Sequence, residues 1–276
     1  MYTINLFDIQ RCSLVDGPGL RTTVFFKGCN LRCKWCHNPE SQRMEKQLLF
    51  HENRCTGCGA CRRVCPNGLL SCDLCGKCAD FCPEGAREIA GKEMPVEKVM
   101  KEILKDVPYY EGSGGGVTLS GGECMLQIDA LEELLALCRE NNIHTAVDTA
   151  GDVPFACFER ILDKTSLFLY DMKCMDEALH IENTGVSNRR IKENLEKLSE
   201  LCPEKLLIRI PVIPGVNTAP EEMAAMAAFL KRLKISNTEL LPYHRMGEHK
   251  YRDLGLDPVT FDVPTNEEMA SYKALF

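Results

Sequence analysis

The chain has 276 residues, of which 45% are hydrophobic and 26% are charged, and its formal net charge is −7. This length fits one large globular domain, or one domain with a small module. The negative charge argues against a broad electrostatic grip on nucleic acid. Because no apolar run approaches the roughly 20 residues of a membrane span and the N-terminus lacks a signal-peptide pattern, we expect a cytoplasmic protein without a nucleic-acid or membrane partner.

Cysteine is the outlier of the composition, with 17 copies. Most of these cysteines lie two or three residues from the next, a spacing that suits a shared metal better than a disulfide. The cytosol also keeps thiols reduced, so metal ligation is the better interpretation. Eight of the cysteines fall within 48–91. We interpret this segment as an insertion in a larger α/β domain formed by 1–47 and 92–276.

The first predicted strand, 20–28, is rich in β-branched and aromatic residues. A loop with the spacing C-x₃-C-x₂-C follows it and contains Cys29, Cys33 and Cys36. Three thiolates can hold three corners of a cubane iron–sulfur cluster and leave the fourth iron free for a substrate. A structural zinc site would need a fourth ligand, for which His37 is the neighbouring candidate.

The insertion contains the pattern C-x₂-C-x₂-C-x₃-C-P twice, which is the pattern of bacterial two-cluster ferredoxins. In that pattern the fourth cysteine of each run ligates the other cluster. The sequence thus predicts two 4Fe-4S clusters, one held by Cys55, Cys58, Cys61 and Cys82, and the other by Cys72, Cys75, Cys78 and Cys65. A structural zinc module is the alternative. Electron relay and a purely structural role both remain open for the clusters.

Strand and helix patterns alternate through the rest of the chain. Further strands are predicted at 116–121, 144–149, 166–173, 205–213 and 238–244, and helices at 124–140, 155–162, 189–201 and 219–234. Pro211 leaves the end of its strand in doubt. Six strands alternating with helices indicate parallel βαβ units, but the chain is short of a full barrel of about 250 residues. We therefore predict a partial (β/α)6 TIM-like barrel with an inserted ferredoxin-like domain, and a doubly wound open sheet as the alternative.

Ligands of either fold bind at the C-terminal ends of the parallel strands. The chemically suggestive side chains of this sequence lie there: Cys29, Ser120, Gly121, Gly122, Glu123, Asp148, Thr149, Asp171, Lys173, Arg209 and His244. Asp148 and Asp171 end neighbouring strands, and two close carboxylates repel each other unless a cation intervenes. We therefore expect one shared site.

Six segments follow one another along the chain and are considered together: VDGPGLRTTVFFKGCNLRCKWCHNPE (15–40), TLSGGE (118–123), DTAG (148–151), YDMK (170–173), RIPVIPGVN (209–217) and LLPYH (240–244). Together they resemble the glycyl-radical-enzyme activating enzymes of the radical SAM superfamily, the group that includes pyruvate formate-lyase activase. The resemblance implies reductive cleavage of S-adenosylmethionine, with an electron from flavodoxin or ferredoxin. The resulting 5′-deoxyadenosyl radical would take a Cα hydrogen from a glycine of a partner glycyl radical enzyme.

The resemblance also implies roles for individual residues. It implies three 4Fe-4S clusters, of which the one on the first loop binds S-adenosylmethionine, and a monovalent cation beside Asp148 and Asp171. The implied catalytic residues are Cys29, Cys33, Cys36 and Lys173. The implied cofactor-binding residues are Trp35 beside the adenine, Ser120 to Glu123 at the amino group, and Asp148, Thr149, Asp171, Lys173, Arg209 and His244. The loop of Asp16 would face the partner's glycine loop.

Three other functions remain open on the sequence: a radical SAM enzyme with a small-molecule substrate, an electron-transfer ferredoxin fused to a barrel, and a zinc-binding interaction protein. Pyruvate formate-lyase activase typically lacks the two-cluster insertion, so its presence favours activators of dehydratases, decarboxylases and lyases. Cys124 stands where such activases commonly have proline. No chemistry is assigned to the six remaining cysteines, which are Cys12, Cys124, Cys138, Cys157, Cys174 and Cys202.

Overall fold

The computed structural model describes residues 2–68 and 71–276. Its strands are β1 Thr3–Ser13, β2 Arg21–Phe26, β3 Gln47–Phe50, β4 Arg87–Ala90, β5 Lys92–Pro95, β6 Gly116–Gly121, β7 Thr145–Thr149, β8 Leu167–Asp171, β9 Leu206–Val212 and β10 Thr238–Pro242. Its helices are α1 Ala60–Val64, α2 Lys77–Asp80, α3 Val96–Leu104, α4 Val107–Ser113, α5 Ile128–Glu140, α6 Phe155–Ile161, α7 Glu177–Thr184, α8 Arg189–Leu201, α9 Pro220–Arg232, α10 Glu248–Asp253 and α11 Asn266–Lys273. None of the helices in this part of the chain is long and apolar enough to cross a bilayer.

The main sheet has the strand order β10-β9-β8-β7-β6-β2-β1-β5. The six predicted strands are confirmed as β2 and β6 to β10, and each pairs in parallel with the next. A doubly wound sheet reverses its strand order at a switch point. The parallel strands here follow one another in one direction without reversal, so the doubly wound alternative is wrong. The sheet is open, with β10 and β5 as its edges.

Two antiparallel strands extend the sheet beyond β2, and the sequence did not predict them. β1 pairs with β2 and with β5, antiparallel in both cases. Ile4 and Leu6 in β1 are fully buried and alternate with more exposed neighbours. This period of two is the ordinary pattern of a half-buried strand and would have predicted β1. β5 has only four residues, too few for a pattern to be recognised.

Pro211 does not end β9, which continues to Val212. The backbone of Arg209 faces β8, because its carbonyl accepts a hydrogen bond from the Met172 N–H at 2.9 Å. Alternate residues of a strand face the same neighbour, so Pro211 also faces the β8 side. Pairing with β8 stops at Arg209, and the missing N–H of proline leaves no ladder hydrogen bond unmade.

The cysteine-rich segment lies between β3 and β4, which pair as a small antiparallel sheet. Two short helices, α1 and α2, lie within it, and a glycine in the left-handed conformation precedes each one: Gly59 (φ 72°) and Gly76 (φ 80°). The two halves of the repeat therefore share a local structure. His51, at the end of β3, connects this segment to α10 through a contact of 2.8 Å between its Nδ1 and the Asp253 carboxylate.

Helix spacing in the sequence predicts the helix cores well and their ends less well. Four residues of α5 at helical spacing are fully buried: Leu131, Leu134, Leu135 and Cys138. Cys138 therefore packs in the hydrophobic core. The helix predicted over 124–140 begins instead with a 3₁₀ turn, and α5 starts at Ile128. The reason is local, since the Glu123 side chain accepts a hydrogen bond from the Met125 N–H and holds this first turn tight.

The loop after β6 packs directly on the loop after β2. The N–H groups of Gly122 and Glu123 donate to the carbonyls of Phe26 and Gly28, both at 2.8 Å. A Cβ atom on Gly122 would lie 2.1 Å from the Gly28 oxygen. Glycine is therefore required here because two backbones touch.

Gly122→Ala should lower the free energy of unfolding by about 1–3 kcal/mol, the usual cost of overpacking. Gly112→Ala is the matched control, because nothing lies within 4 Å of its Cβ position in α4. Alanine there should be neutral or slightly stabilising. Anaerobic thermal unfolding of both variants measures the difference, and equal melting temperatures would refute the close approach.

Candidate active site

One cavity of about 300 Å³ lies at the C-terminal ends of the parallel strands. Its wall includes most of the residues that the sequence predicted for a shared site: Cys29, Cys33, Trp35, Cys36, Ser120, Gly121, Gly122, Asp148, Thr149, Asp171, Lys173 and Arg209. Asp16 also lines it. Glu123 and His244 are not among the lining residues.

The three-cysteine loop is held in place by α7. The N–H groups of Arg32 and Lys34 donate to the backbone carbonyls of Thr184 (2.7 Å) and Asn183 (3.0 Å). Burial raises the pKa of both Cys29 and Cys33 to about 12, against the positive charge of Lys173 at Cys33. Without a metal these side chains are thiols at neutral pH, so metal binding must release their protons.

The chemistry of the loop fits a cubane cluster better than a single ion. In the described ranges, no three His, Cys, Asp or Glu side chains converge closely enough to hold one metal ion. Zinc would need its sulfur ligands at about 2.3 Å from one point. A four-iron cluster spreads its cysteine ligands over separate corners. Cys29, Cys33 and Cys36 line one cavity, as ligands of separate corners of one cluster would have to do.

His37, the candidate fourth ligand of a zinc site, lines the same cavity but is engaged by His244. Its ring stacks on the His244 ring with the centroids 4.0 Å apart. Its Nε2 lies 3.1 Å from the His244 carbonyl oxygen, where it acts as the donor. Burial and the neighbouring His244 lower the pKa of His37. The hydrogen bond occupies one ring nitrogen of His37, so this geometry gives the zinc alternative no added support.

Four charged side chains that line the same cavity form an alternating group. Arg209 contacts Asp148 at 3.1 Å and Asp171 at 3.3 Å, and the Lys173 ammonium lies 2.9 Å from Asp171. Ser120 donates its hydroxyl to Asp148 at 2.6 Å. The Arg209 guanidinium thus already lies between the two carboxylates for which the sequence analysis expected a monovalent cation.

The pKa values of this group follow from burial and mutual attraction. Burial acts against its charge, but Lys173 and Arg209 hold the pKa of Asp171 below its ordinary value. Burial raises the pKa of Asp148, and Arg209 only partly offsets this. Despite burial, the acids raise the pKa of Lys173 and of Arg209. A wall with two cations and two anions has no net charge and suits the zwitterionic end of an amino acid.

Glu123 faces away from the cavity and links the loops after β6 and β7. Its carboxylate is fully buried and accepts hydrogen bonds from the Thr149 hydroxyl and from the Ala150 N–H, both at 2.9 Å. Burial raises the pKa of Glu123 to about 7. The amino-group contact that the family resemblance implied for Glu123 would therefore have to be indirect.

The buried Glu123 gives the protein a pH-dependent stability. A carboxyl whose folded pKa is raised favours folding below its unfolded value of about 4.3, and this contribution declines as the pH rises above that value and is lost once the pH has passed about 7. Glu123→Gln removes the titration, so the melting temperature of wild type relative to the variant should fall between about pH 5 and about pH 7 and then level off. A difference that does not change over this range would contradict the buried titration.

Cys124 is fully buried and lies outside the cavity wall. Its thiol donates to the Asp148 carbonyl oxygen at 3.6 Å, within the range for sulfur. Burial raises its pKa well above the ordinary value. A protonated, buried thiol is unreactive, so Cys124 supports the strand end at Asp148 without redox chemistry of its own.

Two supporting residues escaped the sequence analysis. Asn217 is fully buried, and its amide donates to the Lys173 carbonyl at 2.8 Å and to the Pro211 carbonyl at 2.6 Å. Lys250 of α10 donates to the side chains of Asn38 and Glu40, both at 2.7 Å. For Asn217, an asparagine in the turn that follows β9 was a usable signal. Nothing in the sequence connected Lys250 to a loop 210 residues away.

The insertion contains two further cavities, and each is lined by four of the predicted cluster cysteines. One cavity, of about 140 Å³, is lined by Cys65, Cys72, Cys75 and Cys78. The other is lined by Cys55, Cys58, Cys61 and Cys82. The structure thus brings the fourth cysteine of each run to the other run, in the sets that the sequence predicts.

Comparison with known proteins agrees with this arrangement. The family model "Radical SAM superfamily" matches residues 23–227. The chain is 46% identical to the trans-4-hydroxy-L-proline dehydratase activating enzyme of Clostridioides difficile, over 98% of this chain and 95% of that protein. It is 42% identical to the choline trimethylamine-lyase activating enzyme of Oleidesulfovibrio alaskensis, over 91% and 86%.

A solved structure gives the same result. The crystallised domain of a pyruvate-formate lyase-activating enzyme from Bacteroides vulgatus superposes with a TM-score of 0.50 at 29% identity, covering 58% of this chain and 92% of that one. Sequence, cavity and relatives therefore agree, and the chain belongs to the radical SAM superfamily, among the enzymes that activate glycyl radical enzymes.

Proposed function

We propose that this activating enzyme forms the glycyl radical on a partner of the dehydratase, lyase or decarboxylase type. The observation that carries the proposal is that one cavity is lined both by three cysteines of one loop and by a paired group of two acids and two cations. The relatives with dehydratase and lyase targets match this chain over nearly its whole length, including the insertion.

Different residues of the cavity would bind different parts of S-adenosylmethionine. Cys29, Cys33 and Cys36 would hold a 4Fe-4S cluster, which together with S-adenosylmethionine would supply the one-electron cleavage that yields a 5′-deoxyadenosyl radical. Trp35, which is buried and lines the cavity, would pack beside the adenine, as the family resemblance implies. Lys173 and Arg209 can share their charges with the cofactor carboxylate without leaving the acids unpaired. The monovalent cation expected beside Asp148 and Asp171 stays a prediction. Arg209 already contacts both of these carboxylates, so the cation would have to share them with its guanidinium.

The fold serves the reaction by excluding water while admitting a peptide. We infer that the six parallel strands form a partial (β/α)6 barrel, open on one side. Asp16 lies at the cavity, where its carboxylate accepts hydrogen bonds from Ser13 at 2.6 Å and Thr23 at 2.8 Å. Leu14 and Val15 beside it are exposed and available to a partner. We propose that the partner's glycine loop enters past this segment.

The insertion over 48–91 is proposed as a ferredoxin-like domain with two 4Fe-4S clusters. Its support is the division of the eight cysteines into two cavities of four. A low-potential donor such as flavodoxin or ferredoxin would supply the electron.

The direct test is to incubate the anaerobic enzyme with dithionite, S-adenosylmethionine and a glycyl radical enzyme of the dehydratase, lyase or decarboxylase type. Electron paramagnetic resonance should then show a glycyl doublet on the partner, and a partner with its loop glycine replaced by alanine should show none. Cleavage of S-adenosylmethionine without any partner radical, but with a modified small molecule, would instead establish a small-molecule radical enzyme.

A further inference from the structure

Arg87, on β4, lies between the two cysteine-lined cavities of the insertion. It lines both of them, together with Cys78 on one side and Cys82 on the other. Its location is fixed by the pairing of Arg87 with Phe50 across β4 and β3. The guanidinium carbon lies 5.1 Å from the centre of the Phe50 ring, within the range of a cation–π contact.

The charge of Arg87 has no anionic partner among residues 2–68 and 71–276. Its Nε is buried and donates to no acceptor there. No carboxylate of these residues lies within ion-pair distance of it. Glu88, the next residue on β4, contacts His51 instead, at 3.1 Å. Arg87 is partly buried, and withdrawing part of a cation from water without a partner is unfavourable. An anion in one or both cavities would supply the missing partner.

Arg87 lines the cavities of both cysteine sets. Beside the first set, the N–H of the preceding residue, Ala86, donates to the Cys82 sulfur at 3.2 Å. Arg87 therefore borders both predicted cluster sites.

We propose that Arg87 is the shared counter-charge of the two auxiliary clusters and raises the reduction potential of both, a role that rests on the proposed function. A thiolate-ligated 4Fe-4S cluster carries net negative charge, which grows by one when it takes up an electron, with no bond made or broken. A fixed cation beside it stabilises the reduced form more than the oxidised form, and net charge and hydrogen bonds to sulfur are established determinants of cluster potential. Because Arg87 lies between the clusters, it acts on both.

The test is a redox titration of the anaerobic holoenzyme with dithionite, followed by electron paramagnetic resonance. In Arg87→Gln the ratio of reduced to oxidised auxiliary cluster at a fixed potential should fall about tenfold for both clusters, which is 59 mV for a one-electron couple. Arg87→Lys should largely restore the ratio, because it keeps the charge. Arg62→Gln is the matched control, an exposed arginine on α1 of the same segment, whose charge is screened by water.

Each outcome decides between the proposal and its alternatives. Unchanged potentials in a fully iron-loaded Arg87→Gln enzyme would overturn the counter-charge role while leaving the clusters in place. A shift in only one cluster would overturn the shared role. Equal loss of iron from Arg87→Gln and Arg87→Lys would overturn the proposal, because it would show that the shape of the Arg87 side chain, and not its charge, is needed to hold the clusters. Iron for a single cluster in the wild type would reject the two-cluster domain itself and the inference with it.

Discussion

Cys33→Ala should reduce the cleavage of S-adenosylmethionine to background. Cys33 lines the central cavity, and its thiol is one of three on the loop that can ligate the iron cluster. Removing one of three ligands leaves two corners without protein support, and the cluster is expected to be lost. The measurement is 5′-deoxyadenosine formed by the anaerobic enzyme with dithionite, determined by chromatography, together with the iron content of the variant.

Cys12→Ser provides the control for this loss. Cys12 is exposed and belongs to none of the three cysteine sets. The variant should keep both its iron and its product formation. If Cys33→Ala made product at the wild-type rate, the loop would not hold the reactive cluster.

Arg209→Met should destabilise the protein by about 3–5 kcal/mol, because it leaves two buried carboxylates without their shared cation. The melting temperature should fall by roughly 10 °C for a domain of this size. Anaerobic thermal unfolding measures the shift, and wild type and variant must carry the same iron, since a bound cluster also contributes to stability.

The double variant Arg209→Met/Asp148→Asn is the matched control for this prediction. It removes one of the two carboxylates that face the vacated position, so it should recover part of the lost stability. The Asp148 carboxylate still accepts the Ser120 hydroxyl in the wild type, and asparagine can accept it as well. If the double variant were no more stable than Arg209→Met, the loss would come from packing and not from unpaired charge.

The sequence predicted the parts of this fold that depend on local pattern. The six parallel strands were recognisable because β-branched and apolar runs alternate with helical spacing. Their C-terminal ends then had to meet at one edge, which brought Cys29, Asp148, Asp171 and Arg209 into one cavity as expected. The two cysteine sets of the insertion were predicted from the doubled ferredoxin pattern, in which the fourth cysteine of each run ligates the other cluster.

What the sequence left open depends on side-chain direction and on contacts between distant segments. The motif that contains Glu123 predicted its neighbourhood, but not that its carboxylate turns inward to Thr149 and Ala150. Likewise, His244 follows the expected strand, yet its ring stacks on His37 and it is not among the residues that line the cavity. Two strand-end aspartates suggested a cation, and only the structure identified the guanidinium of Arg209 between them. Such choices are made by packing, which no local pattern encodes.

The proposed reaction requires that one iron of the cluster on Cys29, Cys33 and Cys36 has no protein ligand, so that S-adenosylmethionine can bind it. The most direct measurement is the electron paramagnetic resonance spectrum of the dithionite-reduced enzyme before and after S-adenosylmethionine is added. We predict that the signal of one cluster changes, because the cofactor becomes a ligand of its open iron, while the signals of the auxiliary clusters and of Cys33→Ala stay the same. A wild-type spectrum that S-adenosylmethionine leaves unaltered would contradict the account.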